Sequence, residues 1–306
     1  MSLALCIPAY NASLLLPKLL TSAKAQLIPF DEILVYNDCS TDHTSEVAKK
    51  YGAIVVEGDV NRGCSCGKNR LAEVAKSEWL HFHDADDDLL PNFTTVAHRW
   101  IDKADVPDII LMHFHYVVHE SNQFISEPKY DIAAMKTDPI KFSITNKLVN
   151  FALVRKKSFL EIGGFNTDPS VLYNEDRAFY SRATIKGLSL GYDPELTCIN
   201  YWHESSMSGG NRAKCAKASL NVWKYVIENT SGKYNKEIAE QLLANATFAA
   251  SADDWETTKG SVLEARKIYQ QASPGGSDLF KILYAFASYK AFEWRAKLLA
   301  IFSLKK

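Results

Sequence analysis

The sequence predicts an α/β fold, a mostly parallel central sheet flanked by helices and followed by a helical C-terminal extension. Short apolar runs alternate with helical stretches from Leu3 to His119. The pattern turns irregular after about Asp131, and from about Arg212 onward it is purely helical. Strands separated by helices of this size form parallel sheets covered on both faces.

Each element follows from its residues. LALCI (Leu3–Ile7) is a short buried strand that Pro8 stops. SLLLPKLLTSAKAQ has helical spacing, with Pro17 in the first turn, where its missing N–H costs nothing. EILVYND is a second strand; Ser40 or Thr41 then caps a helix reaching about Lys50. AIVVEGD and EWLHFHD read as the third and fourth strands, CGKNRLAEVAK and NFTTVAHRWIDKA as the third and fourth helices. PDIILMHFHYVVH adds further strand. KLVNFALVRKKSFLEIGGF reads as a strand, a short helix and a glycine turn. NEDRAFYSRATIKG is a helix with acids in its first turn, where the dipole favours them. The helical C-terminal region breaks at SPGGSD, Ser273 to Asp278.

Composition narrows the function. The chain has 306 residues, 47% hydrophobic and 23% charged, which fits one large domain or one domain with an appendage. A net charge of -1 and a pI near 6.7 argue against a nucleic-acid partner. The six cysteines are scattered, and the one-residue gap between Cys64 and Cys66 is not a zinc spacing. They are expected to be reduced thiols in a cytoplasmic protein. MSLALCIPAYN lacks the basic start of a signal peptide, and no apolar run reaches the roughly 18 residues of a membrane span.

The most informative stretch is EWLHFHDADDDLLP, where Asp84, Asp86, Asp87 and Asp88 follow a buried strand. In open α/β sheets, ligands sit outside the carboxyl ends of strands. Asp84 and Asp86 leave such an end two residues apart, so both can turn toward one hard cation, Mg²⁺ or Mn²⁺, with phosphate oxygens completing the shell. A helix cap before Pro91 explains one or two of these acids but not four, because like charges so close repel. An EF-hand loop from Asp84 would need Gly and Glu where Leu89 and Thr95 stand. A sugar-nucleotide pyrophosphorylase would carry a glycine-rich loop after its first strand, and PAYNASLLLP has no glycine.

Six pieces, CIPAYNA, VYNDCSTDHT, NRGCSCGKNR, HDADDDLLP, EIGGF and YNEDRAFYSR, in this order and spacing resemble the inverting glycosyltransferases of family 2. They run from residue 3 to about 203. The resemblance implies a Rossmann-like GT-A catalytic domain over residues 1–211, with a nucleotide-sugar-binding half to about 115 and an acceptor half after it. Residues 212–306 form a helical region outside the resemblance.

Carried over, Pro8, Ala9 and Tyr10 hold the nucleotide base, with the Tyr10 ring over its flat face. Asp38 accepts from the base. Cys39 stands where the family usually has Gly. Asn61, Gly63 and Lys68 line the nucleotide-sugar; Gly67 and Lys68 replace the family's Ala-Arg pair, so the charge stays but the bidentate fork is lost. Arg62 and Arg70 are possible substitutes or simply solvated helix-face charges. Asp84, with Ala85 beside it, faces the ribose and sugar, and Asp86 faces the metal and diphosphate. Asp87 orients the turn and Asp88 is surface. Asp176 is the base that takes the proton from an acceptor hydroxyl as it attacks the anomeric carbon. Arg182 is expected to be structural. His203 matches the late histidine that serves some relatives as a metal ligand, whereas His81 and His83 are expected in the core or behind the site.

The resemblance thus implies transfer from a nucleotide-diphospho-sugar, a UDP-sugar by preference, to a glycan or lipid-linked acceptor, with Mn²⁺ or Mg²⁺ as cofactor. A non-catalytic GT-A-like binding module is the rival; its mark would be a lost Asp86 or Asp176, and both are present. DLFKILYAFASYKAFEWRAKLLAIFSLKK fits a helix lying on the inner membrane face. It fits equally a helix packed on the catalytic domain or at a homodimer interface.

Overall fold

The computed structural model describes residues 1–203 and 210–303, with side chains through Leu298. Lys305 and Lys306, the basic end of the predicted tail helix, lie outside the described residues. The chain forms two compact units. Residues 1–139, 148–167 and 182–203 make the first; residues 140–147, 168–181 and 204–306 make the second.

In chain order the elements are β1 (Leu3–Ala9), α1 (Leu16–Lys24), β2 (Glu32–Asn37), α2 (Thr44–Lys50), β3 (Ile54–Glu57), α3 (Cys64–Val74), β4 (Trp79–Phe82), β5 (Asp88–Leu89) and α4 (Phe93–Ile101). There follow β6 (Ile109–Val118), β7 (Phe124–Ser126), α5 (Ile132–Thr137), α6 (Pro139–Thr145), β8 (Ala152–Arg155), α7 (Lys156–Glu161), α8 (Glu175–Ile185) and β9 (Leu190–Trp202). The C-terminal region is α9 (Arg212–Asn229), α10 (Asn235–Ala250), α11 (Trp255–Ile268), α12 (Asp278–Ala287) and α13 (Lys290–Ser303).

The strands, all in the first unit, build one sheet in the order β3-β2-β1-β4-β8-β6-β9-β5, with β7 beside β6. The β3-β2-β1-β4 half is parallel, and β6 and β9 are parallel to each other; β8 runs antiparallel between β4 and β6. Because β2 and β4 leave β1 in opposite directions, the carboxyl ends of β1 and β4 part at a switch point, where such sheets bind ligands. On one face Leu3, Leu5 and Ile7 pack with Leu16, Leu19 and Leu20 of α1 and Phe93, Val96 and Ile101 of α4, all buried. A buried side chain of this size contributes about 1.5–3 kcal/mol.

Two local expectations are corrected. Pro8 does not stop β1, which continues to Ala9 with Pro8 paired to Tyr36. The Cys6 carbonyl accepts from His83 N on the β4 side, so by alternation Pro8 also faces that side. The β1–β4 pairing has ended by then, at Cys6 and Phe82, so no ladder bond is lost. Ser40 and Thr41 do not cap α2 either. Its first N–H, from Thr44, is held by Asp42 Oδ1 at 3.0 Å, while Ser40 and Thr41 bond to Asn11.

His81 and His83 sit in the core, as expected. His81 Nδ1 lies 3.0 Å from the Ala152 carbonyl, and His81 Nε2 lies 3.0 Å from His83 Nδ1. Burial lowers both pKa values, that of His83 to about 4. β9 carries a bulge: Met112 pairs with Asp193 but His113 with Leu196, so Pro194 and Glu195 are looped out. Beyond it the strand reaches Trp202 and delivers His203.

In the second unit, the break before α12 ends in a Ser277 cap that accepts from Phe280 N. The tail helices pack through Phe280, Tyr284 and Phe292. Among the described residues no helix is long and apolar enough to cross a membrane.

Candidate active site

The carboxyl ends of β1 and β2 are tied together, Asp38 N donating to the Ala9 carbonyl at 2.9 Å. The buried Asp38 carboxylate then accepts from Arg62 N (2.9 Å) and Gly63 N (2.8 Å). It therefore fixes the Asn61–Gly63 loop, and each oxygen has a second lone pair with which to accept from a ligand. Gly63 adopts φ +84 at the start of α3, a conformation that suits glycine. Tyr10 leaves β1 as an exposed residue, 52% accessible. Cys39 has φ +59, which explains why glycine suits that position better. Gly67 is also constrained: a Cβ there would lie 2.7 Å from the Tyr36 ring.

Lys68 is buried, with Nζ 3.2 Å from Asp84 Oδ1 and 5.3 Å from the Phe165 ring centre. Its charge is thus directed at Asp84. Ala85 is half-buried in the turn. Asp86 Oδ2 lies 3.3 Å from His203 Nε2, so the two predicted metal ligands, far apart in sequence, meet. Asp87 is buried and accepts from Asn200 Nδ2 (2.9 Å) and Tyr201 N (2.8 Å). Burial, reinforced by Asp86 and Asp84, holds its carboxyl well above the usual range. Asp88 is not merely surface. It accepts from the Tyr201 hydroxyl at 2.8 Å and pairs with Lys18. Asp87 and Asp88 therefore anchor the turn to β9, leaving Asp84 and Asp86 44% and 41% exposed.

One residue of the site's frame was not singled out by the sequence. Asn69 donates to the Phe165 carbonyl (2.9 Å) and accepts from Phe165 N (2.7 Å), clamping the glycine turn. Its place beside Lys68 in the NRGCSCGKNR motif was the available signal. Arg182 is structural, bonding the Gly164 carbonyl. Arg62 and Arg70 pair with the exposed Asp59 and Glu73 of their own segments.

Asp176 belongs to the second unit, in the first turn of α8 beside the buried Glu175. Asn174 fixes that turn, accepting from Ala178 N through its carbonyl and donating from its side chain to the Cys215 carbonyl at 2.7 Å. Tyr173, just before it, is held at φ +77, a strained conformation of the kind that collects at functional sites. Lys147 is nearby: burial and Arg177 lower its pKa, and the Asp176 charge opposes them.

A family profile described as "Glycosyl transferase family 2" matches residues 4–163. The uncharacterized glycosyltransferase YibD of Escherichia coli K12 is 36% identical over 265 residues, covering 80% of this chain and 74% of its own. The match spans 56% and 64% of the length of two other curated relatives. Among solved structures, residues 1–349 of Staphylococcus aureus TarS in complex with UDP-GlcNAc superpose with a TM-score of 0.70 at 17% identity, covering 88% of this chain and 81% of that one. The mannosyltransferase PcManGT of Pyrobaculum calidifontis, in complex with GDP-Man and Mn²⁺, gives 0.59 at 18% identity, with 97% and 84% covered. At these identities the structures speak to the fold alone, which is GT-A.

Proposed function

Because the chain belongs to glycosyl transferase family 2, we propose that it transfers a sugar from a nucleotide-diphospho-sugar, with inversion, to a glycan or lipid-linked acceptor of the cell surface. The observation that carries the reading is the 3.3 Å approach of Asp86 to His203 beside the Lys68–Asp84 pair, at the carboxyl ends of the strands. A carboxylate and an imidazole can hold one divalent cation, and the imidazole favours Mn²⁺ over Mg²⁺. Bound there, the cation offsets charge gathering on the leaving diphosphate.

This chain's residues do the rest. Asp38 holds the Asn61–Gly63 loop and accepts from the base, UDP being the preferred nucleotide, while Tyr10 covers the base. Lys68 keeps Asp84 oriented toward the ribose and sugar. Asp176 takes the acceptor proton. TarS, solved with UDP-GlcNAc, and PcManGT, solved with GDP-Man and Mn²⁺, share this fold and are the precedent for the donor class and the cation proposed here.

The test is thermal stability with UDP, GDP, dTDP or CDP, with and without Mn²⁺. A ligand at a hundredfold excess over its dissociation constant stabilises the native state by about 2.7 kcal/mol. One nucleotide should stabilise the chain only with Mn²⁺, and Asp86→Ala should abolish the shift. Asp176→Asn should keep the shift and lose turnover by about 10²–10⁴-fold. A non-catalytic module that holds a glycan or a partner protein would show no shift with any nucleotide and release no nucleotide diphosphate from the donor.

A further inference from the structure

A second group of metal-binding side chains lies on β6 and just beyond β7. His113 and His115 are two residues apart on β6 and so project from the same face. Glu127, directly after β7, reaches both: its Oε2 lies 3.6 Å from His113 Nε2 and 3.3 Å from His115 Nε2. The three ligand atoms all lie within 4.8 Å of one another. Bonds of about 2.0–2.2 Å in a tetrahedral zinc site place ligand atoms about 3.3–3.6 Å apart, and both distances from Glu127 to the imidazoles fall in that range.

The surroundings favour a cation over a chance ion pair. His113 Nδ1 lies 2.6 Å from the Tyr192 hydroxyl, which leaves Nε2 aimed at Glu127. An outer partner on the second imidazole nitrogen is the usual companion of a metal-bound histidine. Tyr192 stands just before the β9 bulge and is braced by the Tyr130 ring at 5.0 Å. His115 is steadied by the Phe124 ring at 5.1 Å. The His115 and Glu127 side chains are each 33% exposed, which gives an ion a way in.

We propose that His113, His115 and Glu127 bind one divalent transition-metal ion of the zinc type, at a site separate from Asp86 and His203. Two imidazoles and one carboxylate suit such an ion and leave a position for water or another ligand. The ion joins the Glu127 segment to β6, adding to the short β6–β7 ladder and the Phe124–His115 ring contact. The inference does not depend on the glycosyltransferase reading.

The experiment uses the full chain carrying Asp86→Asn, so that the other pair cannot bind zinc. The protein is stripped with a chelator, reloaded with Zn²⁺ and desalted. Bound metal is measured by elemental analysis and affinity by competition with a chromophoric chelator. One Zn²⁺ per chain is expected. Tyr192→Phe should weaken it by about 10- to 100-fold; His115→Ala and Glu127→Gln, which remove ligands, should weaken it more. Co²⁺ in place of zinc should give d–d bands that Glu127→Gln alters. Zinc content and affinity unchanged in the His115→Ala, Glu127→Gln double variant would overturn the site. So would the absence of zinc from an Asp86→Asn chain with wild-type circular dichroism, or an equal loss on replacing the exposed His43 with alanine.

Discussion

At the scale of single residues, this chain tolerates a strained backbone directly after Asp38, which holds the Asn61–Gly63 loop. Cys39 occupies the left-handed region that the family usually gives to glycine. A side chain there costs about 1–2 kcal/mol, of which glycine returns part as unfolded-chain entropy. Cys39→Gly should therefore stabilise the protein by about 0.5–1 kcal/mol, seen as a higher urea midpoint at constant slope. A lower midpoint would mean that the Cys39 side chain makes a contact worth more than the strain. Single residues also show where the sequence stopped being readable. The DADDD run points to a candidate cation site by charge density alone, but it cannot say which acids are free. Asp87 and Asp88 bind β9 residues more than a hundred positions away. Asn69 looked ordinary because its two partners are backbone atoms, which carry no sequence signal.

At the scale of elements, buried histidines give β4 a pH response. The ordinary His value is 6.5, and burial holds His83 at about 4 and His81 lower than 6.5. Protonation therefore favours the unfolded chain: this stabilisation is complete above pH 6.5 and lost as pH falls from there toward about 4. Urea midpoints at about pH 7.5 and about pH 5 should differ in that direction, with protons taken up on unfolding; equal midpoints would contradict it. On α12, Leu279 (65%), Ile282 (55%) and Phe286 (89%) are exposed at helical spacing. Such a face suits the interface of an anionic leaflet. Wild-type protein should float with anionic vesicles and Phe286→Glu should not; equal flotation would leave the helix without a membrane role. Period-based reading recovered β1 to β4, α8 and the helical tail, because burial on both faces or one stripe writes itself into the apolar pattern. It missed the two-residue β5 and the short β7, α5 and α6, which are too brief to show a period. It ended β1 at Pro8 because the neighbouring strand's end is a tertiary fact.

At the scale of the molecule, each compact unit takes its chain from three separate segments. Residues 140–147 and 168–181 are bonded within the second unit through Lys141–Glu237, Asn174–Cys215 and Asn221–Ser170. A chain cut after residue 211 therefore leaves those segments, Asp176 included, without their partners. It should lose turnover and show no single cooperative thermal transition; a soluble, active 1–211 fragment would show that these contacts are dispensable. The sheet has its own interleaving, since β9 is its last strand to be made yet lies between β6 and β5. During synthesis the β6 edge that pairs with β9 must wait until Trp202 has left the ribosome. At about 5–20 residues per second that wait is on the order of ten seconds. For that interval the nascent protein carries an open edge able to pair with a neighbouring chain, so its yield in a cell should depend on translation speed and on chaperones that bind unfinished sheets.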